Sequence, residues 1–145
     1  MLQGLRLDPA NLGELANALA AEGLPVADLA EPGRIFFRFD DGTLAGYGGL
    51  EGTGADRLLR SLVVPFGRRY AGVGSSLLAA LEKEAVALGV ARLHLLTTTA
   101  APFFRAHGYV DAPRAAAPAT IAASAEFTAL CPASAAYLIK TLENR

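Results

Sequence analysis

The chain reads as an α/β protein built on a mixed β-sheet, and three observations predict this. Strand-like runs rich in β-branched and aromatic residues alternate with amphipathic helical runs along the whole length. One such strand, ending Leu62-Val63-Val64, passes through a basic, glycine-containing turn directly into an amphipathic helix. Finally, 145 residues with 52% hydrophobic content suit one compact domain spanning residues 1–145.

The elements follow in order. Asp8-Pro9 has the form of a helix start, with aspartate as N-cap and proline at the first helical position. Leu12, Leu15 and Leu19 share one face of that helix, and Gly23 is its stop. After a connector to Pro32-Gly33 the period changes, and Arg34-Ile35-Phe36-Phe37-Arg38-Phe39 reads as a strand. Asp41-Gly42 is a hairpin turn, and Thr43 through Glu51 is the return strand, rich in glycine. A further strand runs from about Leu58 to Val64. The helix after the glycine turn places Val73, Leu77, Leu81, Ala85 and Leu88 on one stripe and ends at Gly89. Arg92 through Thr98 is a strand, and Pro102 through His107 a short helix closed by Gly108-Tyr109. A third helical pattern covers about Pro118 to Leu130, and Ala135 through Leu142 forms a final strand.

The glycine turn carries the clearest chemistry. Gly72 and Gly74 let the backbone approach a ligand with no Cβ in the way. The helix that follows opens with unpaired N–H groups and a partial positive charge, which suit a phosphate or pyrophosphate. Arg68 and Arg69 add fixed positive charge beside it. Two other cradles fit poorly. A P-loop needs a lysine after its second glycine, and none occurs between Met1 and Glu82. A dinucleotide fingerprint needs a third glycine where Leu77 stands.

Composition excludes several classes. A net charge of −1 argues against the extended basic face of a general nucleic-acid binder. No apolar run is long enough to span a bilayer, so no membrane partner is expected, and Met1–Arg6 lacks the form of a signal peptide. A single cysteine, Cys131, allows no internal disulfide and fits a reducing cytoplasm. Two histidines and one cysteine argue against a dedicated metal site.

The spacing Arg69-x-x-Gly72-x-Gly74, set between an apolar strand and an amphipathic helix, resembles the acetyl-coenzyme A (acetyl-CoA) loop of the GNAT superfamily of N-acetyltransferases. Ala101-Pro102-Phe103-Phe104-Arg105-Ala106-His107-Gly108-Tyr109 resembles the short aromatic helix that follows the fifth strand in that superfamily. The runs Leu95–Phe104, Leu130–Ala135 and Leu59–Val64 are similar to the arsenic-resistance N-acetyltransferase family within it. Two positions depart from the pattern. Pro65 lies four residues before Arg69, where relatives place proline three residues before, and Tyr70 stands where relatives have glycine. Tyr70 either covers the phosphates or faces solvent.

The resemblance implies a GNAT-like (acyl-CoA N-acyltransferase) fold, a mixed sheet with helices on both faces. It also implies that acetyl-CoA lies between two splayed parallel strands. The backbone of Leu62, Val63 and Val64 would bond the pantetheine arm, and a strand N–H near Val63 would polarise the thioester carbonyl. Backbone groups from Arg69 through Tyr70, Ala71, Gly72, Val73 and Gly74 to Ser75 would hold the pyrophosphate, with Arg68 alongside. Phe104 occupies the position where many relatives carry a tyrosine that protonates the departing thiolate, and phenylalanine has no proton to donate.

Glu51, at the end of the third strand, is the candidate base for the acceptor amine, directly or through water; a solvated strand-end carboxylate is the alternative. Arg60, Thr97 and Thr98 are candidates for holding an anionic substrate group, and each has an equally good structural role. His94, set among leucines, reads as a core histidine. Cys131 precedes a proline with no evident histidine partner, which argues against a nucleophile. These readings point to acetyl-CoA-dependent N-acetylation of a small-molecule amine, amino acid-like or arsenic-containing. A non-catalytic acyl-CoA-binding module and a protein acetyltransferase are the competing functions. The apolar C-terminal strand is compatible with a homodimer.

Overall fold

The computed structural model describes residues 2–65 and 72–142. Its strands are β1 (Gln3–Arg6), β2 (Arg34–Asp40), β3 (Leu44–Glu51), β4 (Asp56–Val63), β5 (Arg92–Thr97), β6 (Val110–Asp111) and β7 (Ala136–Thr141). The helices are α1 (Gly13–Ala21), α2 (Val73–Ala87), α3 (Ala101–Ala106) and α4 (Ala119–Ala122). The strands form one seven-stranded sheet in the order β1-β2-β3-β4-β5-β7-β6. Only the central β4–β5 pair is parallel; the other neighbours run antiparallel.

Helices cover both faces. On one, Leu77, Leu78, Leu81 and Ala85 of α2 pack with Phe37, Phe39, Leu50, Leu59, Leu93 and Leu95. On the other, Leu15 and Leu19 of α1 pack with Phe36, Tyr47, Val63 and Leu29. The alternation of Phe36 against Phe37 and Phe39 is the period-2 pattern of a strand buried on both sides. The glycines of β3 are explained by this packing. A Cβ at Gly46 would lie 2.7 Å from Leu77 Cδ2, and one at Gly48 would lie 2.8 Å from Leu81 Cδ2. Small residues here let α2 settle onto the sheet.

Several elements differ from the sequence expectation. α1 begins at Gly13 rather than after Asp8-Pro9. The Asp8 carboxylate instead accepts from Ala10 N–H at 2.9 Å, and the Asp8 carbonyl accepts from Asn11 N–H, which makes a local turn. Gly23 does end α1, with Leu24 N–H donating to the Leu19 carbonyl and Gly23 N–H to that of Ala20, a Schellman closure. Leu88 is 38% exposed because α2 stops at Ala87, and Val90 fills the core in its place. The expected helix over 118–130 is broken into α4 and a π-helical turn, Glu126–Leu130. The Ser124 hydroxyl accepts from Phe127 N–H, competing with the helical ladder. No helix among the described residues is long and apolar enough to cross a membrane.

Candidate active site

The parallel pair makes the site. β4 and β5 are in register only at Asp56↔Arg92, Arg57↔Leu93 and Leu58↔His94, although each strand runs further. Beyond Leu58 they splay, and a cleft of about 590 Å³ opens between them. Its walls are Leu59–Val64 from β4 and the segment after it, and Leu95–Ala100 with Phe104 from β5 and α3. Glu22–Ala27 on one side and Glu126, Cys131 and Pro132 on the other complete the lining.

Local backbone geometry shapes the β4 wall. Tyr47 pairs with Val63 and Gly49 with Arg60, so β4 carries an extra residue between those pairs. Ser61, within this bulge, has φ 60°, a left-handed conformation uncommon for a residue with a Cβ. Bulges of this kind re-aim backbone groups that would otherwise serve the ladder. Here the affected groups belong to Ser61, Leu62 and Val63, all on the cleft wall.

The start of α2 is built without a side-chain cap. Gly72 is the N-cap with φ 74°, and no acidic residue occupies the first turn. Among the described residues a Cβ built at Gly72 meets nothing within 4 Å. At Gly74 a Cβ would make ordinary contact with the Phe103 ring at 3.5 Å, since α2 and α3 lie close together here. The Ser75 hydroxyl is tied to His107 Nε2 at 2.8 Å, while His107 Nδ1 donates to the Phe103 carbonyl. Val73 is half-buried in the same first turn. The expected contributions of Arg68, Arg69, Tyr70 and Ala71 lie outside the described residues.

Arg60 is not available to a substrate, which corrects the expectation that it holds an anionic group. Its side chain is fully buried. Nη1 donates to Asp28 Oδ2 at 2.6 Å and Glu51 Oε1 at 2.8 Å, and Nη2 donates to Asp28 Oδ1 at 2.7 Å. Nε lies 3.3 Å from Glu126 Oε2. Arg34 joins from β2, 2.8 Å from Asp28 and 3.6 Å from Glu51. Burial pushes the Asp28 carboxyl up, but hydrogen bonds from Arg60 and Arg34 outweigh it and hold the group at about 2. Glu126 moves the other way. Burial, with the nearby Glu51 and Asp28 charges, outweighs the Arg60 attraction and raises it to about 7.

The structure does not bring Glu51 to the cleft wall; it sits behind Arg60 with its oxygens toward the two arginines. Thr97 and Thr98 do line the cleft, and the Thr97 hydroxyl accepts from Ala100 N–H at 3.0 Å ahead of α3. Phe104 is buried and forms part of the wall. His94 is held between Tyr137 Oη at 2.7 Å and Asp56 Oδ1 at 2.8 Å, a core histidine outside the cleft. Burial raises the Cys131 thiol to about 11, which keeps it protonated and non-nucleophilic near neutral pH. Sequence reasoning missed Asp28 and Glu126. The one available signal was Arg60 itself, a charge within the apolar run Leu58–Val63 that required buried partners.

Residues 31–111, more than half of the chain, match the acetyltransferase (GNAT) domain model. The chain belongs to the GNAT acetyltransferase family. Solved structures share its fold. Tetrahymena GCN5 has a TM-score of 0.78 at 12% identity, covering 100% of this chain and 98% of that one. An N-acetylglutamate synthase from Neisseria gonorrhoeae, solved with coenzyme A and N-acetyl-glutamate, has a TM-score of 0.76 at 19% identity. That match covers 99% of this GNAT chain but only 35% of the synthase, so the chain spans about a third of it. A Mycobacterium tuberculosis protein solved with CoA and NLQ has a TM-score of 0.73 at 16% identity, covering 97% and 99% of the two chains. No curated protein matches this GNAT chain in sequence.

Proposed function

We propose that the protein transfers the acetyl group of acetyl-CoA to the amine of a small molecule. The observation that carries this reading is the cleft between the splayed β4 and β5, opening beside the uncapped start of α2. The pantetheine arm pairs with the backbone of Leu62, Val63 and Val64, lying along β4 like an added strand. The first-turn N–H groups of Val73, Gly74 and Ser75 take the pyrophosphate beside Gly72, together with Arg68, Arg69, Tyr70 and Ala71. A backbone N–H near Val63, re-aimed by the bulge at Ser61, stabilises the oxyanion formed on the thioester carbonyl. The synthase and the mycobacterial neighbour were each solved with coenzyme A, which supports the choice of co-substrate.

For the acceptor we propose an amino acid-like or arsenic-containing amine, within a cytoplasmic resistance or detoxification role. Support comes from the runs that resemble the arsenic-resistance acetyltransferases: residues from Leu95–Phe104 and Leu130–Ala135 line the cleft. The N-acetyl-glutamate bound to the gonococcal synthase agrees with a small amino-acid-like acceptor. Thr97 and Thr98 present hydroxyls for its polar end. A homodimer is part of the same proposal.

The second reading, a non-catalytic acyl-CoA-binding module, draws on one feature. Phe104 supplies no proton to the leaving thiolate, and no tyrosine lines the cleft among the described residues. A thiol of ordinary pKa, about 8.5, departs with help from solvent, so catalysis does not require one. Calorimetric titration tests the co-substrate. Acetyl-CoA should bind with a Kd in the micromolar range, about −8 kcal/mol. No heat at millimolar ligand would overturn the functional reading while leaving the fold untouched.

A further inference from the structure

Five charged side chains from five parts of the chain meet behind the cleft. Arg34 and Arg60 supply two positive charges; Asp28, Glu51 and Glu126 supply three carboxylates. Among the described residues one carboxylate is therefore in excess of the arginines, and buried charge without a partner is costly. The excess proton site is identified by geometry. Asp28 takes three short bonds from the two arginines, and Glu51 is bridged between the same pair. Among the described residues Glu126 makes one longer contact to an arginine, 3.3 Å from Arg60 Nε. Neither Asp28 nor Glu51 lines the cleft, whereas Glu126 does.

We infer that Glu126, rather than Glu51, is the general base that takes the proton from the acceptor amine. The inference rests on the acetyltransferase reading above. The groups facing Glu126 are Arg60 from β4, Glu51 from β3, Asp28 from the segment before β2, and Cys131 at the end of its own turn. Arg34 acts on it through Asp28 and Glu51, and Arg114 acts on the neighbouring Cys131. The Cys131 thiol lies 3.9 Å from Glu126 Oε1 and stays protonated, so it does not compete for the proton.

The acceptor amine arrives as an alkylammonium ion. Glu126 removes one ammonium proton, and the freed nitrogen lone pair attacks the thioester carbonyl carbon. The C–S bond then breaks with its electron pair on sulfur, and the second N–H proton goes to that thiolate. Glu126 returns its own proton to water through the open cleft. A base titrating near 7 is well matched to this work at neutral pH.

The test compares the parent, Glu126→Gln, Glu126→Asp and Glu51→Gln. The readout is acetyl-CoA turnover with the fastest acceptor among glycine, methionine, ethanolamine and putrescine. Glu126→Gln should lower kcat by roughly 10²–10⁴-fold with the KM for acetyl-CoA unchanged. The parent's rate should rise through an inflection near pH 7 that is missing from Glu126→Gln, whose rate follows the free amine upward instead. Glu126→Asp should recover part of the loss, and Glu51→Gln should still show an inflection, moved to lower pH because the Glu51 charge no longer raises Glu126. An unchanged profile in Glu126→Gln, or an inflection lost in Glu51→Gln alone, overturns the inference. An infrared difference titration of parent against Glu126→Gln needs no turnover. A carboxyl band titrating near pH 7 in the parent only supports the proton site, and its absence overturns it. A parent that binds acetyl-CoA, shows that band and acetylates none of the amines would instead overturn the acetyltransferase reading, and the base role with it.

Discussion

Gly72→Asp is expected to weaken acetyl-CoA binding at least 100-fold, about 2.8 kcal/mol, with the far-ultraviolet circular dichroism unchanged. Gly72 occupies the left-handed region at φ 74° and caps α2, its carbonyl accepting from Ser76 N–H. Aspartate tolerates this conformation better than most residues and is a favoured N-cap, so the helix should survive. Its carboxylate would then sit at the helix N-terminus and repel the pyrophosphate. The measurement is calorimetry on both proteins at the same ionic strength, because the repulsion is screened by salt. Normal binding by Gly72→Asp would move the cradle elsewhere.

The second large effect belongs to Arg60. Arg60→Met keeps an unbranched apolar stem, shorter than arginine, and leaves three buried carboxylates facing Arg34 alone among the described residues. Removing one partner from a buried ion-paired cluster costs about 3–5 kcal/mol. The loss should depend on pH. Asp28, held at about 2 against an ordinary value near 3.9, contributes stability above pH ~4 that disappears as pH falls through about 2. Glu126, raised to about 7, has the opposite sign. It keeps its proton longer when folded, so its contribution is fully present below pH ~4.3 and is lost as pH rises through about 7. The gap between Arg60→Met and parent should therefore be largest at neutral pH and shrink toward pH 3. Urea unfolding across that range measures it. Equal stability at pH 7 would mean that the cluster is not assembled as described.

Much of the frame was legible because its signals are local. The strand–turn–helix joint at Leu62–Leu78 announces itself by period, glycine and charge within one short stretch. β1 was hidden because all four of its residues are exposed, so no apolar alternation marks it. β6 has two residues, too few for any period. The run over 118–130 looks helical by composition, but the Ser124 hydroxyl captures the Phe127 N–H and a π-helical turn follows. That break matters, because the turn begins at Glu126 and sets it beside Arg60. The charge cluster was illegible for a related reason. Asp28, Arg34, Glu51, Arg60 and Glu126 share no spacing, and only the folded sheet brings them together. Glu51 had the right chemistry at the end of a strand, but the strand end points behind Arg60 rather than into the cleft.

Acetyl-CoA held in the β4–β5 cleft is proposed to donate its acetyl group to a small amine. The most direct measurement follows free thiol release from acetyl-CoA across a panel of amines, with the acetylated product identified by mass spectrometry. Thiol release should depend on the amine and match the acetylated product mole for mole. Micromolar acetyl-CoA binding with no amine-dependent thiol release by any member of the panel would contradict that transfer and make the protein an acyl-CoA-binding module.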